Sequence, residues 1–398
     1  MLVIAAPGQG AQAPGFLAPW LELPGVRDRI GAWSDLAGCD LIACGTTAGA
    51  DEIKDTAVAQ PLLVAAGIAA AEVLFGDLEQ AQRQAGILAG HSVGELTAGA
   101  IAGVLTPEQA ISLVRVRSHA MAQAAALVPT GMTAVLGGDE AAVLDAIEAH
   151  GLTPANINGA GQVVAAGTLA QLDAFAADPP ARARLIPLSV AGAFHTRHMA
   201  PAVESLRAAA GDLTAAEPAV TLLSNRDGAA AASGADWLDR IVTQVSAPVR
   251  WNMVMESMAG LGATAFIELP PAGTLTGLAR RALPDVARVS LKTPDDLQAA
   301  RSLIAEHGTL DPHQDGHVPE WRLLVAPHAG TFRSGSTDPA AAAPGTTINS
   351  GAEIGHVEQR GGRHVITPQF PATILEWLVE DGDPVSVGQP LVRLQPAE

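Results

Sequence analysis

A serine between two glycines is the strongest candidate for chemistry in this sequence. Ser92 lies in "LAGHSVGELTAG", with Gly90 and Gly94 two residues to either side, after an apolar run and before a helix of small residues. This context is typical of a nucleophile elbow, a sharp strand-to-helix turn that exposes the serine hydroxyl. Glycines suit it because the two backbones cross closely, and the following helix offers free N–H groups to an oxyanion. The pattern predicts Ser92 as a nucleophile.

The base for this serine has to come from another part of the chain. His91 directly precedes Ser92, but neighbouring side chains on an extended strand point to opposite faces. His195 lies in "VAGAFHTRHM", where an apolar segment breaks at glycine and can expose an imidazole at the end of a strand. The residues alone leave other histidines open, namely His119, His150, His198 and those near the C-terminus.

The composition limits the classes of partner and compartment. The formal net charge is -18, so we expect no nucleic-acid and no membrane partner, although one local arginine can bind an anionic small substrate. The opening "MLVIAAPGQG" has no basic region and predicts a first strand, and no span approaches an uninterrupted membrane helix. Cys39 and Cys44 fit a reducing compartment as small structural residues, so the expected localisation is cytoplasmic.

The patterning along the chain predicts an α/β protein followed by an all-β unit. Short apolar runs alternate with helical patterns up to about residue 127, and a strand-helix-strand-helix-strand order of ferredoxin-like type follows. The expected domains are a discontinuous, hydrolase-like α/β core with a parallel sheet over 1–129 and 193–308, a ferredoxin-like insertion over 130–192, a linker over 309–320, and a small all-β sandwich over 321–398.

The last of these segments contains an internal repeat. "INSGAEIGHV" and "VSVGQPLVRL" align without a gap, and four apolar or glycine positions coincide. The matched pairs are Ile348 with Val385, Gly351 with Gly388, Ile354 with Leu391, and Val357 with Leu394. Two copies of strand-turn-strand with one spacing predict a quasi-symmetric β-sandwich.

Seven ordered motifs resemble those of the malonyl-CoA:acyl carrier protein transacylase family. They are "PGQGAQ", "GHSVGE", "RVRSHAM", "ANINGAGQVVAAG", "GAFHTRHM", "LLSNRDG" and "QVSAPVRW". The resemblance covers roughly residues 1 to 307. It implies transfer of a malonyl group from malonyl-CoA to the phosphopantetheine thiol of an acyl carrier protein, in fatty-acid synthesis.

The resemblance also implies roles for individual residues. Ser92 would accept the acyl group, and His195 would act as general base and acid. The backbone N–H groups of Gln9 and Val93 would form the oxyanion hole. Arg117 would hold the free carboxylate of the malonyl group through a two-pronged hydrogen bond.

Further roles concern the base and the acyl group. The backbone carbonyl of Gln244 would orient the imidazole, so no third acid is needed, and Asn225 is grouped with it as a residue that stiffens the site. Phe194 and Val93 resemble the forms that accompany malonyl, which favours malonyl over branched acyl groups. One departure from the family is "ELPPAGTLTGL", around Gly273, where the lysine of the usual turn is absent.

The C-terminal segment resembles a biotinyl/lipoyl carrier domain that has lost its attachment site. Gly361 falls about where the carrier lysine should be, and no lysine follows Lys292. We therefore expect no biotin and no lipoate, and we interpret the segment as a docking module, with an acyl-CoA carboxylase as its hypothetical partner. A run of polar residues, "HGTLDPHQDGH", matches no compact metal-ligand spacing, so no metal is expected.

Other functions stay open at this point. A serine hydrolase or thioesterase shares the elbow, and a polyketide-pathway acyltransferase would use another acyl-CoA. A scaffold without activity is a third alternative. The combination of Ser92, His195 and Arg117 favours an [acyl-carrier-protein] S-malonyltransferase.

Overall fold

The computed structural model describes residues 1–159, 161–190, 192–309, 322–335, 343–359 and 362–396. The chain divides into two compact units, Met1–Leu310 and Asp311–Glu398. Nearly all of the predicted linker over 309–320, most of the polar run "HGTLDPHQDGH" over 307–317, and Gly361 lie outside the described residues.

The first unit alternates strands and helices. In chain order they are β1 (Leu2–Ala6), α1 (Val26–Ala37), α2 (Leu41–Thr46), α3 (Thr56–Phe75), α4 (Leu78–Gln84), β2 (Ile87–Gly90), α5 (Gly94–Ile101), α6 (Pro107–Ala126), β3 (Thr130–Gly137), α7 (Glu140–Ala149), β4 (Thr153–Gly159), β5 (Gln162–Thr168), α8 (Leu169–Ala177), β6 (Ala183–Pro187), α9 (Ala200–Gly211), β7 (Thr221–Leu222), α10 (Gly234–Gln244), α11 (Trp251–Gly260), β8 (Ala265–Glu268), α12 (Thr274–Ala282), β9 (Ala287–Ser290) and α13 (Leu297–His307).

The core of this unit is a five-stranded sheet in the order β7-β2-β1-β8-β9. Every neighbouring pair is parallel. All residues of β1, β2 and β8 are buried, as expected for strands covered by helices on both faces. The α/β fold with a parallel sheet, predicted from the alternating apolar runs, is therefore confirmed.

Helix α3 crosses the interior of this unit. Sixteen of its 20 residues are buried, and it begins with the Asp55 side chain accepting a hydrogen bond from the backbone N–H of Ala57. By length and composition alone it could span a membrane, with a mean hydropathy of 1.8, but 83% of that stretch is buried inside the unit. The expectation that no segment has such length and composition was wrong, since alanines and aliphatic residues outweigh Gln60 and Pro61. The burial is that of a core helix.

An antiparallel sheet lies between α6 and the segment that returns to the core. Its strand order is β4-β5-β3-β6, and helices α7 and α8 connect its strands in a β-α-β-β-α-β succession. This is the succession of a ferredoxin-like unit. The sequence pattern indicated one strand fewer, because β4 is poor in β-branched residues and has irregular register at Pro154 and Ile157.

The second unit is all-β, with two four-stranded antiparallel sheets. Its strands are β10 (Arg322–Val325), β11 (Gly330–Ser334), β12 (Thr347–Ile348), β13 (Gly355–Gln359), β14 (Gly362–Ile366), β15 (Ala372–Trp377), β16 (Pro384–Val385) and β17 (Pro390–Pro396). The sheets have the orders β10-β17-β15-β12 and β14-β13-β11-β16. The predicted all-β character of this region agrees with these sheets.

The internal repeat has a direct structural counterpart in this unit. The six matched apolar residues are all buried in one core, and the matched glycines, Gly351 and Gly388, have φ of 76° and 78°. The first copy sends β12 to one sheet and β13 to the other, and the second copy sends β16 and β17 to the opposite sheets. The two halves are therefore related by an approximate two-fold symmetry that interchanges the two sheets.

Candidate active site

Ser92 stands at a sharp turn between β2 and α5. Its φ is 53°, a left-handed conformation that non-glycine residues rarely adopt. The flanking glycines are required by close backbone approach: a Cβ on Gly90 would lie 1.9 Å from the carbonyl carbon of Gly94, and one on Gly94 would lie 2.2 Å from the oxygen of Ala6. The geometry is that of a nucleophile elbow.

His195 is in hydrogen-bonding contact with this serine. Its Nε2 lies 2.7 Å from the Oγ of Ser92, and its Nδ1 lies 2.9 Å from the backbone oxygen of Gln244. A carbonyl can only accept, so Nδ1 carries the proton and Nε2 is free to accept the proton of the serine hydroxyl. Burial, reinforced by the charge of Arg117, lowers the pKa of His195 to about 3. The imidazole is therefore neutral at physiological pH, as a general base requires.

His91 lies apart from this pair, although it precedes Ser92 in sequence. Its Nε2 is 2.9 Å from the Oδ1 of Asn158 on β4, and its ring packs against Trp251 with centroids 5.6 Å apart. Burial lowers the pKa of His91. This histidine thus connects the elbow to the inserted sheet and does not reach the serine hydroxyl.

Arg117 brings a completely buried guanidinium to the nucleophile. It projects from α6 with no exposed surface, and its Nη2 donates to the Oγ of Ser92 at 3.3 Å. Nη1 donates to the Oε1 of Gln60 on α3 at 2.6 Å, while Nε has no hydrogen-bond partner among the described residues. Burial lowers the pKa of Arg117 to about 10, which leaves it cationic at neutral pH. An anionic group on the acyl chain of Ser92 would meet this cation.

Gln244 connects the base, the nucleophile and the arginine. It is the last residue of α10, so its carbonyl lacks an intrahelical donor and accepts from His195. Its side-chain Nε2 donates to the backbone oxygen of Ser92 at 3.1 Å, and its Oε1 accepts from the Nη2 of Arg117 at 2.8 Å. The sequence indicated only the contact between the Gln244 carbonyl and His195, and not the contacts of the Gln244 side chain.

Asn225 holds the elbow instead of the imidazole. Its Oδ1 accepts from the backbone N–H of Ser92, and its Nδ2 donates to the oxygen of Gly90, both at 2.7 Å. These contacts stabilise the strained turn of the nucleophile, in keeping with the expected stiffening role of Asn225. Its Oδ1 also lies 3.4 Å from the Nε2 of Gln244, whose carbonyl accepts from His195, and Asn225 does not contact the imidazole itself.

Sequence reasoning missed two residues of this network, Glu95 and Gln60. Glu95 is 1% exposed in the first turn of α5, where its Oε1 accepts from the backbone N–H of Asn225 at 2.6 Å and its Oε2 accepts from Gln244. Burial raises the pKa of Glu95 to about 8. The only local signals are an acid inside the otherwise apolar "GELTAGAI" and an amide inside the apolar helix α3.

The two residues expected to form the oxyanion hole lie on either side of the elbow. Val93 precedes the first residue of α5, and Gln9 follows β1. Among the described residues, neither backbone N–H donates a hydrogen bond to another group. The side chain of Gln9 is held by Thr56, its Nε2 donating to the hydroxyl at 3.2 Å.

A cavity of about 340 Å³ lies between the core and the inserted sheet. The core contributes Gln9, Lys54 and His91, whereas the insertion contributes apolar residues and three amide side chains. Those amides belong to Asn156, Asn158 and Gln162. Phe194, the predicted acyl-selecting residue, is buried and lines a neighbouring cavity against Ala122, Ala125 and Ala126 of α6. No group of three or more metal-ligating side chains occurs in the part of the chain that the structure describes.

Comparison with known proteins agrees with this geometry. The family model of the acyl transferase domain matches residues 7–305. The malonyl CoA-acyl carrier protein transacylase of Mycobacterium tuberculosis is 50% identical over 303 residues, which cover 76% of this chain and 100% of that protein. The crystal structure of MCAT from Mycobacterium tuberculosis has a TM-score of 0.73, at 50% identity, and the match covers 75% of this chain and 99% of that one.

A second solved relative was captured with its partner. It is a malonyl transacylase in complex with a type II polyketide acyl carrier protein, 30% identical with a TM-score of 0.70, and the match covers 76% of this chain and 99% of that chain. The order of the motifs, the elbow and the full coverage of these relatives agree, and the chain belongs to the malonyl-CoA:acyl carrier protein transacylase family.

Proposed function

We propose that this chain is an [acyl-carrier-protein] S-malonyltransferase that moves malonyl from malonyl-CoA to an acyl carrier protein in fatty-acid synthesis. The observation that carries the proposal is the buried guanidinium of Arg117, 3.3 Å from the Oγ of Ser92. A nucleophile beside a buried cation suits an acyl group that ends in a carboxylate. We also propose that the core is hydrolase-like, with Ser92 at its nucleophile elbow.

The first half-reaction forms the acyl-enzyme. His195 Nε2 takes the proton of Ser92 while Oγ attacks the thioester carbonyl, and the backbone N–H groups of Gln9 and Val93 stabilise the oxyanion. The C–S bond then breaks, and the departing CoA sulfur takes the proton from His195. The malonyl group is left as an ester on Ser92, with its carboxylate on Arg117.

The second half-reaction reverses these steps with a different thiol. The phosphopantetheine thiol of the carrier protein enters through the cavity that the core and insertion share, and His195 takes its proton as sulfur attacks the ester. The Ser92–acyl bond breaks, and His195 returns the proton to the serine oxygen. In this arrangement Phe194 and Val93 favour malonyl over methylmalonyl, a distinction worth about 1–3 kcal/mol for one methyl group.

Mass spectrometry of the intact protein tests this function. Incubation with malonyl-CoA should add one malonyl group to Ser92, and carrier protein with its phosphopantetheine arm should remove it. Acetyl-CoA and methylmalonyl-CoA serve as comparison donors, and S92A is the control without a nucleophile. Absence of any adduct would overturn the proposal, whereas rapid loss of the adduct to water alone would identify a thioesterase.

The second unit is proposed to be a biotinyl/lipoyl-like module without a prosthetic group. Its approximate two-fold symmetry and its matched glycines support this interpretation, and the missing lysine excludes the usual amide attachment of biotin or lipoate. We propose that it docks on an acyl-CoA carboxylase, in the cytoplasm. Removal of the residues after Pro319 tests the docking: unchanged turnover and unchanged co-purification with the carboxylase would overturn it.

A further inference from the structure

Glu95 is the one buried carboxylate in the hydrogen-bond network of Ser92. It faces two donors, the backbone N–H of Asn225 and the side-chain amide of Gln244. Both donors continue to the nucleophile, since Asn225 accepts from the Ser92 N–H and Gln244 donates to the Ser92 carbonyl. Glu95 thus stabilises, through these two residues, both the backbone N–H and the backbone carbonyl of Ser92.

The same amide joins Glu95 to the cation of the site. The Nε2 of Gln244 donates to Glu95, while its Oε1 accepts from the Nη2 of Arg117 at 2.8 Å. Glu95 and Arg117 are 1% and 0% exposed, so at a pH above the pKa of Glu95, about 8, the site without substrate holds one buried negative charge and one buried positive charge. Such a pair is tolerated because each charge offsets the other through a hydrogen-bonded link.

A malonyl group disturbs this balance. Its carboxylate would bring a second negative charge to the one guanidinium, which has no exposed surface before substrate binds. Two carboxylates near one cation raise the pKa of the less well solvated one. We propose that Glu95, where it is ionised, is the counter-ion of Arg117 and gives up its charge when the malonyl carboxylate arrives, by taking one proton from solvent. This inference rests on the proposed function.

The surrounding groups leave Glu95 as the residue that titrates in the relevant range. Burial raises the pKa of Glu95 to about 8, and the added anion would raise it further. Burial lowers the pKa of His195 to about 3 and that of Arg117 to about 10, and it also lowers the pKa of His91. The hydroxyl of Ser224 is a further hydrogen-bonding partner of Glu95 and favours its charged form.

The protonation of Glu95 on malonyl binding has a consequence for selectivity. An acyl group without a carboxylate does not displace the charge of Glu95, so the original pair stays intact and no proton is taken up. Proton uptake therefore distinguishes malonyl-CoA from acetyl-CoA at this site. Glu95 acts in this scheme as a positioning residue, because it reaches the reacting atoms only through Gln244 and Asn225.

Calorimetric titration measures the proton directly. Full-length S92A, which cannot be acylated, is titrated with malonyl-CoA and with acetyl-CoA in buffers of different ionisation enthalpy. The excess proton uptake is the number of protons taken up on binding malonyl-CoA minus the number taken up on binding acetyl-CoA. It should be near zero at about pH 6, roughly half a proton at about pH 8 and most of one proton at about pH 9. No excess at any of these values would overturn the inference.

The double variant S92A/E95Q supplies the matched control. Its excess proton uptake should vanish, while malonyl-CoA still binds; an uptake equal to that of S92A would assign the proton to another group and overturn the inference. If E95Q fails to fold, the pH series with S92A decides alone. The serine adduct of the wild type is measured separately, so failure of the proposed function and failure of this coupling give different results.

Discussion

The guanidinium of Arg117 and the hydroxyl of Ser92 lie 3.3 Å apart, and the side chain of Gln244 contacts the arginine and the backbone of the serine. The cation is therefore fixed relative to the nucleophile before any substrate arrives. Preorganisation of this kind lets charge be recognised without rearrangement in the transition state.

Replacement of Arg117 should change selectivity more than it changes chemistry. In R117A the malonyl carboxylate loses a charge-assisted hydrogen-bonding partner worth about 1.5–3 kcal/mol, so acylation by malonyl-CoA should slow by about 10- to 100-fold. Acylation by acetyl-CoA, which has no carboxylate, should not slow. Single-turnover acylation with both donors measures the ratio. R117K, which keeps the charge but loses the fork, should lie between R117A and the wild type, and equal losses for both donors would contradict this role.

The low pKa of His195 predicts an unusual pH profile. The neutral imidazole is the active base, so its contribution is complete well above pH 3 and is lost as the pH falls through about 3. The rate of Ser92 acylation should therefore stay nearly constant from about pH 5 to pH 7, where a base with the ordinary histidine pKa of about 6.5 would lose most of its activity. Acylation by acetyl-CoA, which avoids the linkage to Glu95, gives the cleanest measurement. A tenfold fall between these values would contradict the prediction.

The side-chain hydrogen bonds of Asn225 to Ser92 and to Gly90 can be separated by a pair of variants. N225A removes both and should lower stability by about 1–3 kcal/mol, together with the acylation rate, because the strained turn at Ser92 loses its support. N225D keeps an oxygen for the Ser92 N–H but loses the donor to Gly90, so it should retain more activity. Thermal melting and acylation rates should both rank wild type, N225D, N225A; equal rates for N225A and wild type would contradict the role.

The glycines of the elbow should tolerate no side chain. In G94A the new Cβ would lie 2.2 Å from the oxygen of Ala6, a backbone atom that cannot move aside, so we expect loss of folded protein or of all acylation. G277A is the matched control, since a Cβ there meets nothing within 4 Å and lies inside α12. That control should be neutral or more stable by up to about 1 kcal/mol. Soluble yield, melting temperature and Ser92 acylation together distinguish the two outcomes.

The repeat of the second unit makes a prediction of its own. Gly351 and Gly388 share a positive φ, so alanine at either position should destabilise this unit by about 1–2 kcal/mol. G362A, where a Cβ meets only the imidazole edge of His364 at 3.6 Å, is the control. Because the sites are matched, G351A and G388A should have similar effects in limited proteolysis of the second unit. A loss confined to one of them would contradict the two-fold relationship.

The sequence was most informative where a constraint is local. The elbow could be predicted because Gly90, Ser92 and Gly94 must occur together for two backbones to cross, and the motifs then linked Ser92 to His195. The parallel sheet followed from strands that are apolar on both faces. The glycine repeat likewise predicted a structural symmetry without any knowledge of the fold.

What the sequence did not reveal depends on distant contacts. Gln60 and Glu95 lie in apolar helices, and nothing near them in sequence indicates that their partners are Arg117 and Gln244. Strand β4 was overlooked because its proline, asparagines and glycine are disfavoured in strands. Its edge is nevertheless fixed in the fold by two backbone hydrogen bonds, from the N–H of Ile157 to the oxygen of Val249 and from the N–H of Val249 to the oxygen of Ala155. Asn225 was grouped with Gln244 on the resemblance of its motif, whereas only contacts could show that its side chain holds Ser92 and Gly90.

The inserted sheet leaves the core directly after α6, which carries Arg117, and the chain returns immediately ahead of His195. The two side chains that act on Ser92 therefore sit at the two ends of one excursion of the chain. An insertion that failed to fold would act as a long loose tether between them, and closing that loop would cost conformational entropy each time the site formed. The folded insertion thus keeps Arg117 and His195 close together and removes this entropic cost before catalysis begins.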